Sequence, residues 1–255
     1  MPSRPSNSSS DPPTETDWQY SGTELESMAL AVNYSRWILD RLKPFVGKHI
    51  VEVGAGVGAF SQLLLETGPA SMTLIEPSLN LHAVLNKRLS AIDKNHIAQV
   101  HHSTLIETFA TSNRPPQPDT AVYVNVLEHI RDDEGELRAL HSILPPAGRL
   151  LLFVPANRWL MGSMDRQLGH FRRYTIEELT SKCRSAGFKI RLAEYFDVVG
   201  IVPWWLKYCV LKSERMEPGA VRLYDRCVVP VSRALERLIT PPVGKSIILV
   251  AENSP

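Results

Sequence analysis

His49–Gly58 reads HIVEVGAGVG. Ile50, Val51 and Val53 are β-branched residues in a run of five, and such a run favours a strand. The glycines begin directly after it. Gly54, Gly56 and Gly58 tolerate a tight turn and leave no Cβ between the backbone and whatever approaches it. With the helical AFSQLLLE (59–66) behind them, they predict a strand–turn–helix unit. Its turn is either a ligand cradle or a purely structural turn. Gly54, Gly56 and Ala59 also satisfy the dinucleotide fingerprint with alanine in the last place, so the glycines alone leave the ligand open.

Outward from this unit the pattern alternates. MTLIEP (72–77) predicts a strand closed by proline, and SLNLHAVLNKRLSAI (78–92) a helix with Ser78 as its cap. IAQVH (97–101) and TAVYVNV (120–126) read as strands, with turn formers over 111–119. EGELRALHSIL (134–144) reads as a helix that stops at PPAG, and RLLLFVP (149–155) as a buried strand. Upstream, apolar positions from Glu24 to Lys43 follow a helical period that Pro44 and Gly47 end. This alternation predicts a parallel, doubly wound sheet with helices on both faces, whose ligands sit beyond the carboxyl ends of the strands. The glycines, Glu76 and Asn125 all fall at such ends. Glu76, about twenty residues after the glycines, is placed to accept both ribose hydroxyls of a nucleoside. The alternative is a solvated acid ahead of a proline.

The C-terminal third is less regular. Thr175 opens TIEELTSKCRSAG with a capping box to Glu178, and Gly187 closes that helix. FKIRLAEY (188–195) and SIILVA (246–251) read as a final antiparallel strand pair at the sheet edge. Between them lie VVGIVPWWLKYCVL and a helix expected over VRLYDRCVVPVSRALERL.

Composition bounds the function. The chain has 255 residues, a net charge of +1, and 44% hydrophobic and 22% charged residues. Without a broad basic excess, nucleic acid is not an expected partner. Cys183, Cys209 and Cys227 fit neither a disulfide framework nor a zinc site and read as reduced, which points to the cytoplasm. Residues 1–17, rich in Ser, Pro and Thr and lacking a signal peptide's apolar core, read as a disordered tail, with order starting near Trp18.

Four segments in order, VEVGAGVG (51–58), LIEP (74–77), YVNVLEHI (123–130) and LPPAGRLLL (144–152), resemble the motif series of class I S-adenosylmethionine-dependent methyltransferases. An NAD-dependent oxidoreductase would account for the first two segments but not the last two. A non-catalytic relative on the same fold is the other alternative. The likeness covers about residues 30–195. VPANRWLMGSMDRQLGHFRRYTIEEL further resembles a bacterial subgroup, type 11/12-like, with a GHxRRY segment. The resemblance implies an α/β fold: a Rossmann-like, doubly wound, seven-stranded, mostly parallel sheet with an antiparallel last strand and a helical cap. One domain would span 18–255, with cap elements at about 156–174 and 196–245. It implies S-adenosylmethionine as cofactor, with Gly54, Gly56 and Gly58 along its methionine part, Glu76 on its ribose, and Asn125 and Val126 near the sulfonium. Glu52, Pro77 and Leu105 complete the implied cofactor set. The acid that binds adenine in many relatives is absent from HHSTL, so Ser103 or Thr104 would substitute.

Methyl transfer asks mainly for alignment, with reacting atoms about 3–3.5 Å apart, and for a base where the acceptor carries a proton. His129, His170 and Tyr174 are the candidate bases, although His129 reads equally as a structural histidine at a strand-to-helix turn. Some methyltransferases bind a divalent metal through Glu-x-x-Glu-His at this place. Here the segment is Asn125-Val-Leu-Glu128-His129, which lacks the first carboxylate, so no metal is expected.

WLMGSMDRQLGHFRRY (159–174), with two glycines and two methionines, reads as mobile rather than packed. Its Arg166, His170, Arg172 and Arg173 would clamp an anionic group on a small or medium-sized acceptor, lipid-linked precursors included. The alternative is that the arginines pair with Asp165, Glu177 or Glu178 and pin the loop. On the clamp reading, Arg173→Ala would spare cofactor binding and impair turnover. GIVPWWLKYCVLK (200–212) is too short to cross a bilayer. Its Trp204 is expected at the substrate, and the stretch either covers the pocket, packs in the core, touches a membrane peripherally or forms a dimer contact.

Overall fold

The computed structural model describes residues 27–254. The expected tail over 1–17 and the onset at Trp18 lie outside the described residues. The first helix, α1 (Val32–Leu42), buries Trp37, Ile38, Leu39 and Leu42. Ser27 and Met28 ahead of it are helical too and a turn separates them from Val32, while residues 24–26 of the helix expected from Glu24 lie outside the described residues. The start at Val32 is held from a distance: the Asp225 carboxylate accepts the amides of Asn33 and Tyr34 at 3.1 and 2.9 Å, supplying acceptors a helix start lacks.

The sheet runs β3 (Ala98–His101), β2 (Ser71–Ile75), β1 (His49–Val53), β4 (Thr120–Val124), β5 (Arg149–Pro155), β7 (Ser246–Asn253), β6 (Phe188–Phe196). Strands β1 to β5 pair in parallel, and β7 lies antiparallel between β5 and β6. Helices α2 (Ala59–Leu65), α3 (Leu79–Ile92), α5 (Asp133–Ile143) and α7 (Ile176–Ser185) connect the strands. A short helix, α4 (Leu105–Ala110), was not foreseen, although its signal is present: Thr104 and Glu107 form a capping box.

Alternation along the strands builds two cores. Leu150, Leu152 and Val154 of β5 point into one, and Leu151 and Phe153 into the other. Strand β7 divides the same way, with Ile247, Leu249 and Ala251 against Ile248 and Val250. Residues buried on both faces are what a strand inside a helix-covered sheet requires. In β1 the register places Glu52, 3% exposed, between Val51 and Val53, so a carboxyl occupies a position an apolar residue would otherwise fill.

Two segments cap the strand ends. In the first, Leu160, Met164 and Asp165 are fully buried and a short helix, α6 (Ser163–Gln167), forms. This corrects the reading of the segment as mobile: a Cβ on Gly162 would meet the Tyr208 carbonyl at 2.7 Å, so that glycine marks close packing. The second segment holds α8 (Ile201–Trp204), which widens into a π-helical turn at Trp205–Val210. It continues in α9 (Pro218–Leu223), a second π-helical turn at Tyr224–Val228, and α10 (Val229–Leu238).

Candidate active site

The turn after β1 is built as its glycines suggested. Gly54 has φ +69°, its amide bonds the Ile75 carbonyl at 2.8 Å, and a Cβ there would meet Val126 Cγ2 at 2.5 Å. Gly56 donates its amide to Glu76 Oε2 at 2.7 Å, and Ser78 donates to Oε1 at 2.9 Å. Glu76 is thus oriented by two backbone donors at the end of β2. Burial pushes its pKa up, and these two hydrogen bonds hold it partly down. Asn125, at φ +54°, ends β4 in a left-handed conformation that suits asparagine.

These residues open on one cavity of about 1520 Å³, along the strand ends and beneath the cap. Of the residues expected at the cofactor, Glu52, Gly54, Gly56, Glu76, Pro77, Thr104, Leu105, Asn125 and Val126 line it. Gly58 and Ser103 do not. Gly58 instead starts α2, where a Cβ would meet Leu85 Cδ1 at 2.7 Å, and Ser103 Oγ is hydrogen-bonded to Thr108 at 2.5 Å. Glu52 is titrated up to about 8, chiefly by burial and then by the Glu76 charge.

The acceptor-side residues separate more sharply. His129, His170, Arg173 and Trp204 line the cavity, whereas Arg166, Arg172 and Tyr174 do not. Arg166 is exposed on α6. Arg172 donates to the Ile130 and Arg131 carbonyls at 3.0 and 2.7 Å and pairs with Asp133 Oδ2 at 2.7 Å. Tyr174, 1% exposed, donates its hydroxyl to Asp133 Oδ2 at 2.9 Å. Burial and the Asp133 charge raise its pKa, which removes it as a base near neutrality. Arg173, 2% exposed, donates Nε to Asp165 Oδ1 at 2.8 Å and Nη1 to the Ala156 carbonyl at 3.0 Å, and its guanidinium lies 4.8 Å from the Trp204 ring. Both arginines are held by protein acceptors, Arg173 by Asp165 as the pinning alternative named and Arg172 by Asp133 rather than Glu177 or Glu178.

Asp165 is the centre of this arrangement. It accepts Gly162 N at 2.8 Å, His170 Nδ1 at 2.8 Å and Arg173 Nε. Burial raises its pKa, but these donors outweigh burial and leave it below the usual carboxylate range. With Nδ1 engaged there, His170 presents Nε2 toward Glu128 Oε1 at 4.0 Å, and its ring stands edge-on to His129 at 4.6 Å. Burial lowers His129 to about 3. Glu128 is fully buried, neither carboxyl oxygen has a hydrogen-bond partner among the described residues, and burial raises it to about 7. The donor atoms of Glu128, His129 and His170 lie within 4.8 Å of one another, a spacing that can hold a cation. Converging donors therefore include His170 and not Asn125, so the absence of a carboxylate at Asn125 does not decide metal binding.

Sequence reasoning missed several cavity residues. Lys245 Nζ pairs with Asp197 Oδ2 at 2.7 Å and lies 4.6 Å from the Tyr34 ring and 5.2 Å from that of Tyr224. No local motif marks it, because Tyr34, Asp197, Tyr224 and Lys245 meet only through the fold. Phe171 lines the cavity with Arg131 over its ring at 4.8 Å.

A family model described as a methyltransferase domain matches residues 29–193. Among curated relatives, the ubiquinone biosynthesis O-methyltransferase of Aeromonas salmonicida is 30% identical over 116 residues, 46% of this chain and 47% of that protein. The chain thus spans about half the length of this relative. The enzyme of that name from Azotobacter vinelandii is 26% identical over 178 residues, covering 65% and 72%. An S-adenosylmethionine-dependent methyltransferase structure from Mesorhizobium loti superposes with a TM-score of 0.55 at 16% identity, covering 85% and 97%. Haemonchus contortus phosphoethanolamine N-methyltransferase 2 gives 0.59 at 16%, covering 91% and 58%. At these identities the structural likeness establishes the fold. The match over residues 29–193, spanning the glycine turn, Glu76, the β4 end and the capped strand end, establishes more: the chain belongs to the methyltransferase-domain family.

Proposed function

We propose that this methyltransferase transfers the methyl group of S-adenosylmethionine to an oxygen of a small or medium-sized amphiphilic acceptor, in the cytoplasm. The observation that carries the reading is one cavity that joins the glycine turn, Glu76 and the β4 end to an aromatic half beneath the cap. Its volume exceeds the ~300–1,000 Å³ usual for a single-ligand site and accommodates two substrates together. The oxygen assignment rests on the named activity of the curated relatives. A lipid-linked acceptor suits the aromatic lining. An anionic one gains less support, because Arg173 and Lys245 are already paired with Asp165 and Asp197.

When bound, S-adenosylmethionine supplies an electrophilic methyl on a sulfonium. Glu76, held by Gly56 and Ser78, keeps lone pairs for the ribose hydroxyls, and Gly54 leaves the backbone open beside Val126. Pro77, Thr104 and Leu105 would enclose the adenine, and Asn125 and Val126 the reacting end. His129, depressed to about 3, is too weak a base for the acceptor proton. His170, oriented by Asp165 as a base is oriented by its carboxylate, is the residue we assign to accept it.

Isothermal titration tests the cofactor: S-adenosylhomocysteine binds and NAD does not, and tight NAD binding alone sinks the reading. Transfer of a tritiated methyl into extracted acceptors tests the substrate class. Label confined to water-soluble products would refute an amphiphilic acceptor.

A further inference from the structure

The second cap segment buries polar side chains and leaves a row of apolar ones exposed. From α9 to α10, the residues turned inward include Asp225, Ser232 and Glu236, all at most 9% exposed. Asp225 caps α1, and Glu236 accepts the amides of Asp197 and Val198 at 3.2 and 2.8 Å. The residues turned outward include an apolar row: Leu223, Cys227, Val231, Leu235 and Leu238 follow one another at intervals of four and three, the spacing of one helix side. Leu223 is 64% exposed, Val231 62% and Leu238 83%. In the neighbouring run, Val202, Trp205, Leu206, Val210 and Leu211 are exposed as well, while Trp204 and Tyr208 turn into the cavity.

Charge on this outer side has one dominant sign. Lys212, Arg215, Arg222, Arg226 and Arg237 are exposed, against Glu214 and Glu217. The helices' other acids are turned inward as hydrogen-bond acceptors. An exposed apolar stripe flanked by arginines is the pattern of a helix lying in a membrane interface. The cavity mouth belongs to the same elements, since Pro203, Lys207, Glu217 and Val221 line it.

We propose that residues 201–239 dock the enzyme on an anionic lipid surface, with the apolar stripe at the acyl boundary and the arginines among the headgroups. The docked face presents the cavity mouth to a lipid-dissolved acceptor. This deepens the amphiphilic-acceptor reading, but lipid binding is measured without turnover, so either can fail alone.

The test is sedimentation of the full chain with phosphatidylcholine vesicles, with and without one quarter phosphatidylglycerol. Each exposed arginine is expected to add about a fivefold factor on the anionic vesicles. Binding to anionic vesicles should therefore exceed binding to neutral ones at least tenfold and fall with added salt. Leu223→Glu with Leu238→Glu, and separately Arg222→Glu with Arg226→Glu, should each lower it at least tenfold, with S-adenosylhomocysteine affinity unchanged as the fold control. A polarity-sensitive dye on Cys227, in a Cys209→Ser background, should shift to the blue on anionic vesicles; this readout keeps the stripe's leucines and the arginines in place. Equal binding to both vesicle types, or a dye that does not respond, overturns the proposal. A dimer that Leu238→Glu dissociates, with no vesicle binding, overturns it too and assigns the stripe to self-association.

Discussion

The parallel sheet and the cap bury their residues by different physics. The sheet places Leu150, Leu152 and Val154 on one face and Leu151 and Phe153 on the other, with backbone ladders satisfying the polar groups. The cap buries charge: Asp165 with Arg173 and His170, and Asp197 with Lys245 and Tyr224. Apolar burial tolerates modest change at one position, whereas a buried ion pair fails when one partner is removed, because the other charge remains in a dry site. The cap is therefore the more brittle half, although it looks like loop in the sequence.

Substitutions in the two halves sharpen this contrast. The largest effect is expected in the cap. Arg173→Ala leaves Asp165 buried beside a lost guanidinium and should destabilise the protein by about 3–5 kcal/mol, read as a fall in denaturation midpoint. Retained stability with reduced turnover would restore the anion-clamp role. Next comes the turn of the sheet. Gly54→Ala combines a left-handed backbone with a Cβ directed at Val126 and should cost about 3 kcal/mol, with S-adenosylhomocysteine binding lost. Unchanged binding would show that the turn is not a cofactor cradle.

Glu76→Ala should act on binding more than on folding, weakening S-adenosylhomocysteine roughly ten- to hundredfold through lost charge-assisted hydrogen bonds, as calorimetry would read. Glu52→Gln comes last, and its effect is read across pH rather than at one pH. Glu52 is raised from 4.5 to about 8, so the folded state keeps a proton that the unfolded chain releases. Its contribution is favourable at low pH and is lost as pH rises from 4.5 to about 8. Glu52→Gln should flatten that decline, and parallel stability curves for the two proteins would show that burial leaves Glu52 unperturbed.

The sheet was legible because its signals are local. The continuous apolar run of β5, helical periodicity in 78–92 and the glycines after β1 are each patterns of residues close together in the chain. The capping box at Thr175 and Glu178 was equally local, and both of its hydrogen bonds form. The break ahead of α1 was not legible, because the acceptor of its first amides, Asp225, is far away in the chain. Helix α4 carries a local signal in the Thr104–Glu107 capping box, but its six residues are too few for a helical period to show.

The sequence by itself determined a doubly wound sheet and a methyltransferase motif series, because strand alternation, glycine turns and strand-end acids are properties of neighbouring residues. Tertiary structure alone decided which residues share the cavity. Arg172, Arg173 and Tyr174 are consecutive, yet only Arg173 lines it, while Tyr34, Trp204 and Lys245 come from three separate segments. Which buried charge meets which partner depends on how the cap folds over the strand ends, where Asp165 and Asp197 find their cations.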